Sequence, residues 1–284
     1  MTLKIKQFTN VSGFLQRKND ILYNSPLLTS ATSRILIFFG GDTQDFSENM
    51  SKHRDSRRYQ EWSLENTSKL IAERFPKNHI FIIRPVRRKI FSNAVLNCYD
   101  NFVPGNEFGA PNFCQNFNSL LHLKLLLQSL SIQIPTVSTE IMSDDLVFMG
   151  FSKGCVVLNQ FLHEFNFYQN KLDVDNEMKK FILRIKEMWW LDGGHPGKKD
   201  TWITDETILK SFVKMGIDIH VHVTPYEVRD DNRPWIRFEE EVFTDTLRKK
   251  GANIQRFLHF ENQPCKLENH FRVLREFSPV SHSN

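Results

Sequence analysis

Residues 144–165, Asp-Asp-Leu-Val-Phe-Met-Gly-Phe-Ser-Lys-Gly-Cys-Val-Val-Leu-Asn-Gln-Phe-Leu-His-Glu-Phe, constrain the fold more than any other stretch of the chain. Leu146 through Met149 form an apolar run of strand length. Val157, Leu158, Phe161, Leu162 and Phe165 then recur at three- and four-residue spacing, the period of a helix with one buried face. A strand therefore turns sharply into a helix at Gly150-Phe151-Ser152-Lys153-Gly154, the context that a nucleophile elbow requires. The glycines are steric: such a turn strains the serine backbone, and side chains at Gly150 and Gly154 would collide with the helix packing back on the strand. Ser152 Oγ is expected at the carboxyl end of the sheet. The helix N-terminus beneath it aims free N–H groups and a partial positive charge at any oxyanion formed there. The competing reading is a tight β–α turn whose serine only caps the helix.

The rest of the chain reads as repeated strand and helix units. Residues 34–39, 79–84, 185–191, 217–223 and 253–260 have strand patterns, and 65–75, 116–130, 208–213, 234–250 and 268–277 have helical spacing. Residues 173–180 read as a charged helix start or a solvated connection. Alternation of this kind implies a mainly parallel sheet covered on both faces. With the elbow, it predicts a doubly wound α/β sheet carrying a nucleophile elbow, in one domain over residues 31–284. Residues 86–116 are irregular, interleaving Asn, Pro and Gly with Phe91, Tyr99, Phe102, Phe108 and Phe113. This long loop leaves the carboxyl end of a strand, so it is expected to wall or cover a pocket, with Tyr99 and Phe102 as wall residues. A packed surface loop with its own aromatic cluster is the alternative.

Residues 1–30 admit two readings. Lys4, Lys6, Arg17 and Lys18 precede the first acid, Asp20, as in a mitochondrial targeting leader. Segments 3–8 and 12–22 are equally compatible with an edge hairpin. The 284-residue chain is 40% apolar, enough for one large core. A formal charge of +4 falls well short of the basic stripe of a nucleic-acid binder. Cys98, Cys114, Cys155 and Cys265 are scattered without a C-x-x-C pair, which argues against zinc and against a disulfide framework. No apolar run reaches the length needed to cross a bilayer.

A serine nucleophile needs a base and an acid that orients the base, in chain order Ser, acid, His on this fold. His270 is the base candidate because it lies beyond the last strand at a loop-to-helix boundary. Asp230 is the first choice of acid, with Asp231 and Asp192 as alternatives on the same sheet edge. The N–H groups of Lys153 and Gly41 are the expected oxyanion donors, Gly41 lying in the Gly40-Gly41-Asp42-Thr43 loop after the strand at 34–39. His195 reads as a pocket wall. His220 and His222 share a strand face, but no acid or thiol with metal-site spacing accompanies them, so no metal or other cofactor is assigned. Arg84, Arg87, Arg88 and Lys89 form either a solvated basic loop or a holder for an anionic group.

Phe-Phe-Gly-Gly-Asp-Thr-Gln (38–44), Cys-Tyr-Asp-Asn-Phe (98–102), Phe-Gly-Ala-Pro (108–111), Gly-Phe-Ser-Lys-Gly-Cys-Val-Val-Leu-Asn-Gln (150–160), Leu-Asp-Gly-Gly-His (191–195), His-Val-Thr-Pro-Tyr (222–226) and Glu-Asn-His-Phe-Arg-Val (268–273) carry a further signal. Together they resemble the α/β-hydrolase-like family whose human member is named only as an open reading frame of chromosome 2. That resemblance implies an α/β-hydrolase fold and an association with mitochondria, against a cytoplasmic alternative. It supplies no substrate. Two functions are expected from residues and resemblance together: a serine hydrolase acting on a small acyl or lipid-like ester or thioester, or a hydrolase-fold protein that binds a metabolic enzyme or lipid.

Overall fold

The strands with the strongest apolar runs are buried along their whole length because helices cover both faces of the sheet they form. The structure, a computed structural model, describes residues 5–30, 32–90, 95–171 and 175–278. Leu3 of the expected hairpin, Phe91 of the long loop and Asp173 of the charged segment lie outside the described residues. In chain order the strands are β1 (Lys6–Ser12), β2 (Lys18–Asn24), β3 (Ile35–Phe39), β4 (His79–Ile83), β5 (Arg87–Ile90), β6 (Val95–Cys98), β7 (Leu146–Phe151), β8 (Ile185–Leu191), β9 (Asp218–Val223) and β10 (Ile254–Leu258). Eight of them form one sheet in the order β1-β2-β4-β3-β7-β8-β9-β10, and β5 and β6 form a separate antiparallel hairpin. From β4 to β10 every pairing in the large sheet is parallel, while β2 joins β4 antiparallel. An antiparallel second strand and the exchange of β3 with β4 are the arrangement of the α/β-hydrolase fold.

Alternation along each strand sends successive side chains to opposite layers. Ile35, Ile37, Phe39, Phe148 and Trp190 pack into one core with Phe161, whereas Leu36, Phe38, Val147, Met149 and Trp189 pack into the other with Phe271. Each fully buried Phe or Leu of this kind stabilises the fold by about 1.5–3 kcal/mol. The helix Ser119–Gln133 begins three residues later than its apolar pattern does, because Asn118 takes a left-handed backbone, φ +60°. Its orphan N–H groups are held by the buried carboxylate of Glu164. Phe117 N and Ser119 N donate to Oε1 at 3.0 and 2.8 Å, and Leu120 N donates to Oε2 at 2.9 Å.

β1 and β2 form a hairpin whose second strand buries Ile21, Leu22 and Tyr23. His122 of the helix Ser119–Gln133 ties it down, contacting Asn19 Oδ1 through Nε2 at 2.8 Å and accepting the Phe14 N–H on Nδ1 at 3.0 Å. β3, β7, β8, β9 and β10 run in one direction, so the loops after Phe39, Phe151, Leu191, Val223 and Leu258 gather at one edge of the sheet. Among the described residues no single helix is long and apolar enough to cross a membrane.

Candidate active site

β7 ends at Phe151, a 3₁₀ turn spans Ser152–Gly154, and the helix Cys155–Asn170 follows directly. Ser152 has φ +51°, a left-handed backbone that a non-glycine residue adopts only at a cost of order 1–3 kcal/mol. The flanking glycines permit it. A Cβ on Gly154 would lie 1.9 Å from Phe39 O, and one on Gly150 would lie 2.9 Å from the Cys155 backbone. Ser152 faces a cavity of about 420 Å³ that is also lined by Asp42, His195, Glu227, Arg233 and His270.

His270, in the first turns of the helix Leu267–Glu276, is buried, and its Nδ1 lies 2.7 Å from Asp192 Oδ2. Asp192 follows β8, has φ +47° and is fully buried. Its carboxylate is fixed by Thr224 at the end of β9, which donates its N–H to Oδ1 at 2.6 Å and its hydroxyl to Oδ2 at 2.7 Å. Burial, the largest single influence, lowers the His270 pKa, but the hydrogen bond and charge of Asp192 together with the charges of Glu227 and Asp42 more than offset it, and the net direction is upward. Asp192 thereby sets the Nδ1–H tautomer and leaves Nε2 as the basic nitrogen. The imidazole packs against the Phe151 and Tyr226 rings, with centroids at 4.7 and 5.1 Å. Ser152 and His270 line the same cavity, and among the described residues Ser152 Oγ makes no hydrogen bond to the ring. In unliganded hydrolases this bond is commonly long and tightens with substrate.

A family model described as C2orf69 matches residues 7–142 and 135–253. The chain belongs to the C2orf69 family. Mitochondrial protein C2orf69 homolog of Danio rerio is 39% identical over 254 residues, covering 85% of this chain and 72% of the relative. Mitochondrial protein C2orf69 of Homo sapiens is 34% identical over 290 residues, covering 85% and 74%. The mitochondrial location of the chain follows from these relatives. Among solved structures, the esterase Est22 aligns with a TM-score of 0.49 at 11% identity, over 96% of this chain and 76% of that one.

Several expectations are corrected in this C2orf69-family chain. Asp230 does not meet His270. Its Oδ2 accepts from Arg233 Nε at 2.7 Å, and that contact lowers its pKa. Asp231 is exposed. The N–H of Gly41 is occupied by Gln44 Oε1 at 2.8 Å, so Asp42 and Thr43 are the residues of that loop that reach the cavity. Tyr99 and Phe102 are not pocket walls: both are buried against Phe39, and Tyr99 donates its hydroxyl to Ile83 O at 3.2 Å. Large aromatics in a loop over a sheet gain more by entering the core than by lining a wet cleft. Ala110 of the 86–116 loop approaches the cavity lining, its methyl 3.4 Å from the Cβ position of Gly197.

His195 does line the cavity. Its Nδ1 accepts from Gly197 N at 2.9 Å, its Nε2 donates to Asp200 O at 3.1 Å, and burial lowers its pKa to about 4. It is a neutral, fixed wall. His222 pairs with His259 at 2.7 Å and stacks on Trp189, away from the cavity lining. Arg84 is neutralised by Asp20 and Asp45 at 2.9 and 2.6 Å, Arg87 by Asp100 and Lys89 by Glu107 at 3.0 Å, while Arg88 donates to Asn49 O at 3.1 Å, so each of the four cations has a partner within the protein. Glu227 is the site residue that the sequence reading passed over. It is buried after β9 with Oε1 3.8 Å from His270 Nδ1 and Oε2 3.0 Å from Arg233, and burial raises its pKa to about 8.

Proposed function

We propose that the chain is a serine hydrolase of small acyl esters or thioesters in which Ser152 attacks, His270 is base and then acid, and Asp192 orients the imidazole. The observation that carries this reading is the buried 2.7 Å contact between His270 and Asp192 beside a serine held at φ +51° on an elbow. In the step proposed, Nε2 of His270 takes the hydroxyl proton as Ser152 Oγ attacks the acyl carbon. The imidazolium that forms is stabilised by the Asp192 carboxylate, which stays ionised. The N–H of Lys153, at the start of the helix beneath the serine, supports the oxyanion from one side.

A cavity of about 420 Å³ suits a short acyl group better than a long lipid chain. The test is hydrolysis of a series of acyl nitrophenyl esters and acyl-thioesters of increasing length by wild type and Ser152→Ala. Turnover of the short members, lost in the variant, supports the reading. The second reading, a hydrolase-fold protein that binds a metabolic enzyme or lipid, draws on the unbonded Ser152 hydroxyl. It gains if folded wild type turns over no member of the series.

A further inference from the structure

Lys153 follows the elbow serine, and the proposed chemistry uses only its backbone. Its side chain is nonetheless 1% exposed, with Nζ 3.3 Å from Cys98 Sγ and 3.3 Å from Phe108 O. Among the described residues it forms no ion pair with a carboxylate. An amine sunk in the interior is disfavoured by desolvation; its direct partners are a thiol and one carbonyl, and the buried Asp42 carboxylate is near enough to feel its charge without forming an ion pair with it. Cys98, at the end of β6, is a free thiol only 2% exposed. Gly109 keeps the space above both atoms open. It has φ +71°, and a Cβ there would lie 2.3 Å from Cys98 Sγ and 2.4 Å from Lys153 Nζ.

The pair also bridges the two walls of the oxyanion region. Asn97, next to Cys98, donates its N–H and its side-chain amide to Asp42 O, each at 2.8 Å, and the amide also reaches Gln44 O at 3.1 Å. β6 thus carries the loop of Asp42 and Thr43, while Lys153 belongs to the elbow.

We propose that Cys98 and Lys153 are a covalent modification site, oxidised by peroxide to a nitrogen–oxygen–sulfur cross-link that thiols reverse. The 3.3 Å hydrogen-bond contact puts the amine within reach of an oxidised Cys98 sulfur, and a single bridging oxygen needs only a small approach of the two side chains. One peroxide converts the thiol to a sulfenic acid and releases water. A second takes one hydrogen from the amine and one from the sulfenic hydroxyl as the N–O bond forms, leaving as two waters. In sum, amine, thiol and two peroxides give the cross-link and three waters. Two dithiol molecules, each supplying two hydrogens, return the amine, the thiol and one water. Once formed, the bridge ties the elbow to β6 and fixes the position of the Lys153 N–H relative to the 42–43 loop.

The test is mass spectrometry of the purified protein after hydrogen peroxide, digested without reductant. The expected product joins the peptides of Cys98 and Lys153 at their summed mass plus one oxygen and minus two hydrogens. Trypsin no longer cuts after Lys153, dithiothreitol dissolves the product, and Cys98→Ser never forms it. Recovery of Cys98 as sulfinic or sulfonic acid, as an unreacted thiol, or in a link without the added oxygen overturns the proposal. Its effect on hydrolysis rests on the function proposed above and is read separately. Fluorophosphonate labelling of Ser152 should slow several-fold in the oxidised protein, recover with dithiothreitol and be insensitive to peroxide in Cys98→Ser. A wild type that never labels contradicts the hydrolase reading and leaves the cross-link to be judged by mass alone.

Discussion

At the scale of single residues, the site turns on which carboxylate faces His270. Asp230 sits three residues before Arg233 and is captured by it, whereas Asp192 has the Thr224 N–H and hydroxyl to hold it and the imidazole to receive it. The upward direction of the His270 pKa has a kinetic consequence. In the proposed mechanism the neutral ring is the base, so the rate of serine acylation should rise with pH through a midpoint above the ordinary 6.5. In Asp192→Asn the residual activity should have a lower midpoint, since burial is then opposed only by the charges of Glu227 and Asp42, and its rate should fall about 10³–10⁴-fold. A pH series of labelling rates checks both. Glu227 gives a stability prediction. With its pKa raised from 4.5 to about 8, the folded state holds more protons than the unfolded state between those values, so stability falls as pH rises across that window. The melting temperature of Glu227→Gln should therefore fall less between pH 5 and pH 8.5 than that of wild type. Parallel melting curves would contradict a protonated Glu227. The elbow at Ser152 was legible because glycine spacing and strand-to-helix periodicity are local properties of sequence, and the place of His270 on the same edge followed from chain order. The carboxylate that meets His270 was not legible, because Asp192 and Asp230 follow neighbouring strands, and their ranking depends on a captured arginine and on a threonine thirty-two residues away in the chain.

Among the elements, the elbow and the N-terminal hairpin make separable predictions. Gly154→Ala places a methyl 1.9 Å from Phe39 O, a backbone atom that cannot swing aside. It should cost about 3 kcal/mol or more, measured by denaturant unfolding, and should impair folding before it impairs chemistry. A neutral effect would mean that the turn is looser than described. Removal of residues 1–24 would strip β1 and β2, uncover the edge of β4 and leave His122 without Asn19. The truncated chain should lose cooperative melting or aggregate, whereas a soluble chain of unchanged stability would show the hairpin to be dispensable. The elements themselves were largely readable because apolar runs such as 35–39 and 80–83 are uninterrupted and their helices keep one apolar face. The 86–116 loop was not. Its aromatics carry no period, so sequence could not say that Tyr99 and Phe102 would enter the core while Phe108 stays about half exposed.

Taken whole, the molecule is a sheet whose parallel strands bring loops separated by more than a hundred residues to one edge, where Ser152, Asp192 and His270 gather. The order of the strands was implied by alternation and by the elbow, but the register that sets Gly150 between Phe39 and Trp190 is a property of packing and was not. The same packing decides whether the three residues act as one unit, which can be read directly. Fluorophosphonate labelling rates should be compared for wild type, Ser152→Ala, His270→Ala, Asp192→Asn and Asp230→Asn, each checked for folding. Labelling should be abolished in Ser152→Ala, nearly lost in His270→Ala and Asp192→Asn, and close to wild type in Asp230→Asn. A folded wild type that does not label, or an Asp192→Asn variant that labels as fast as wild type, would contradict the assignment.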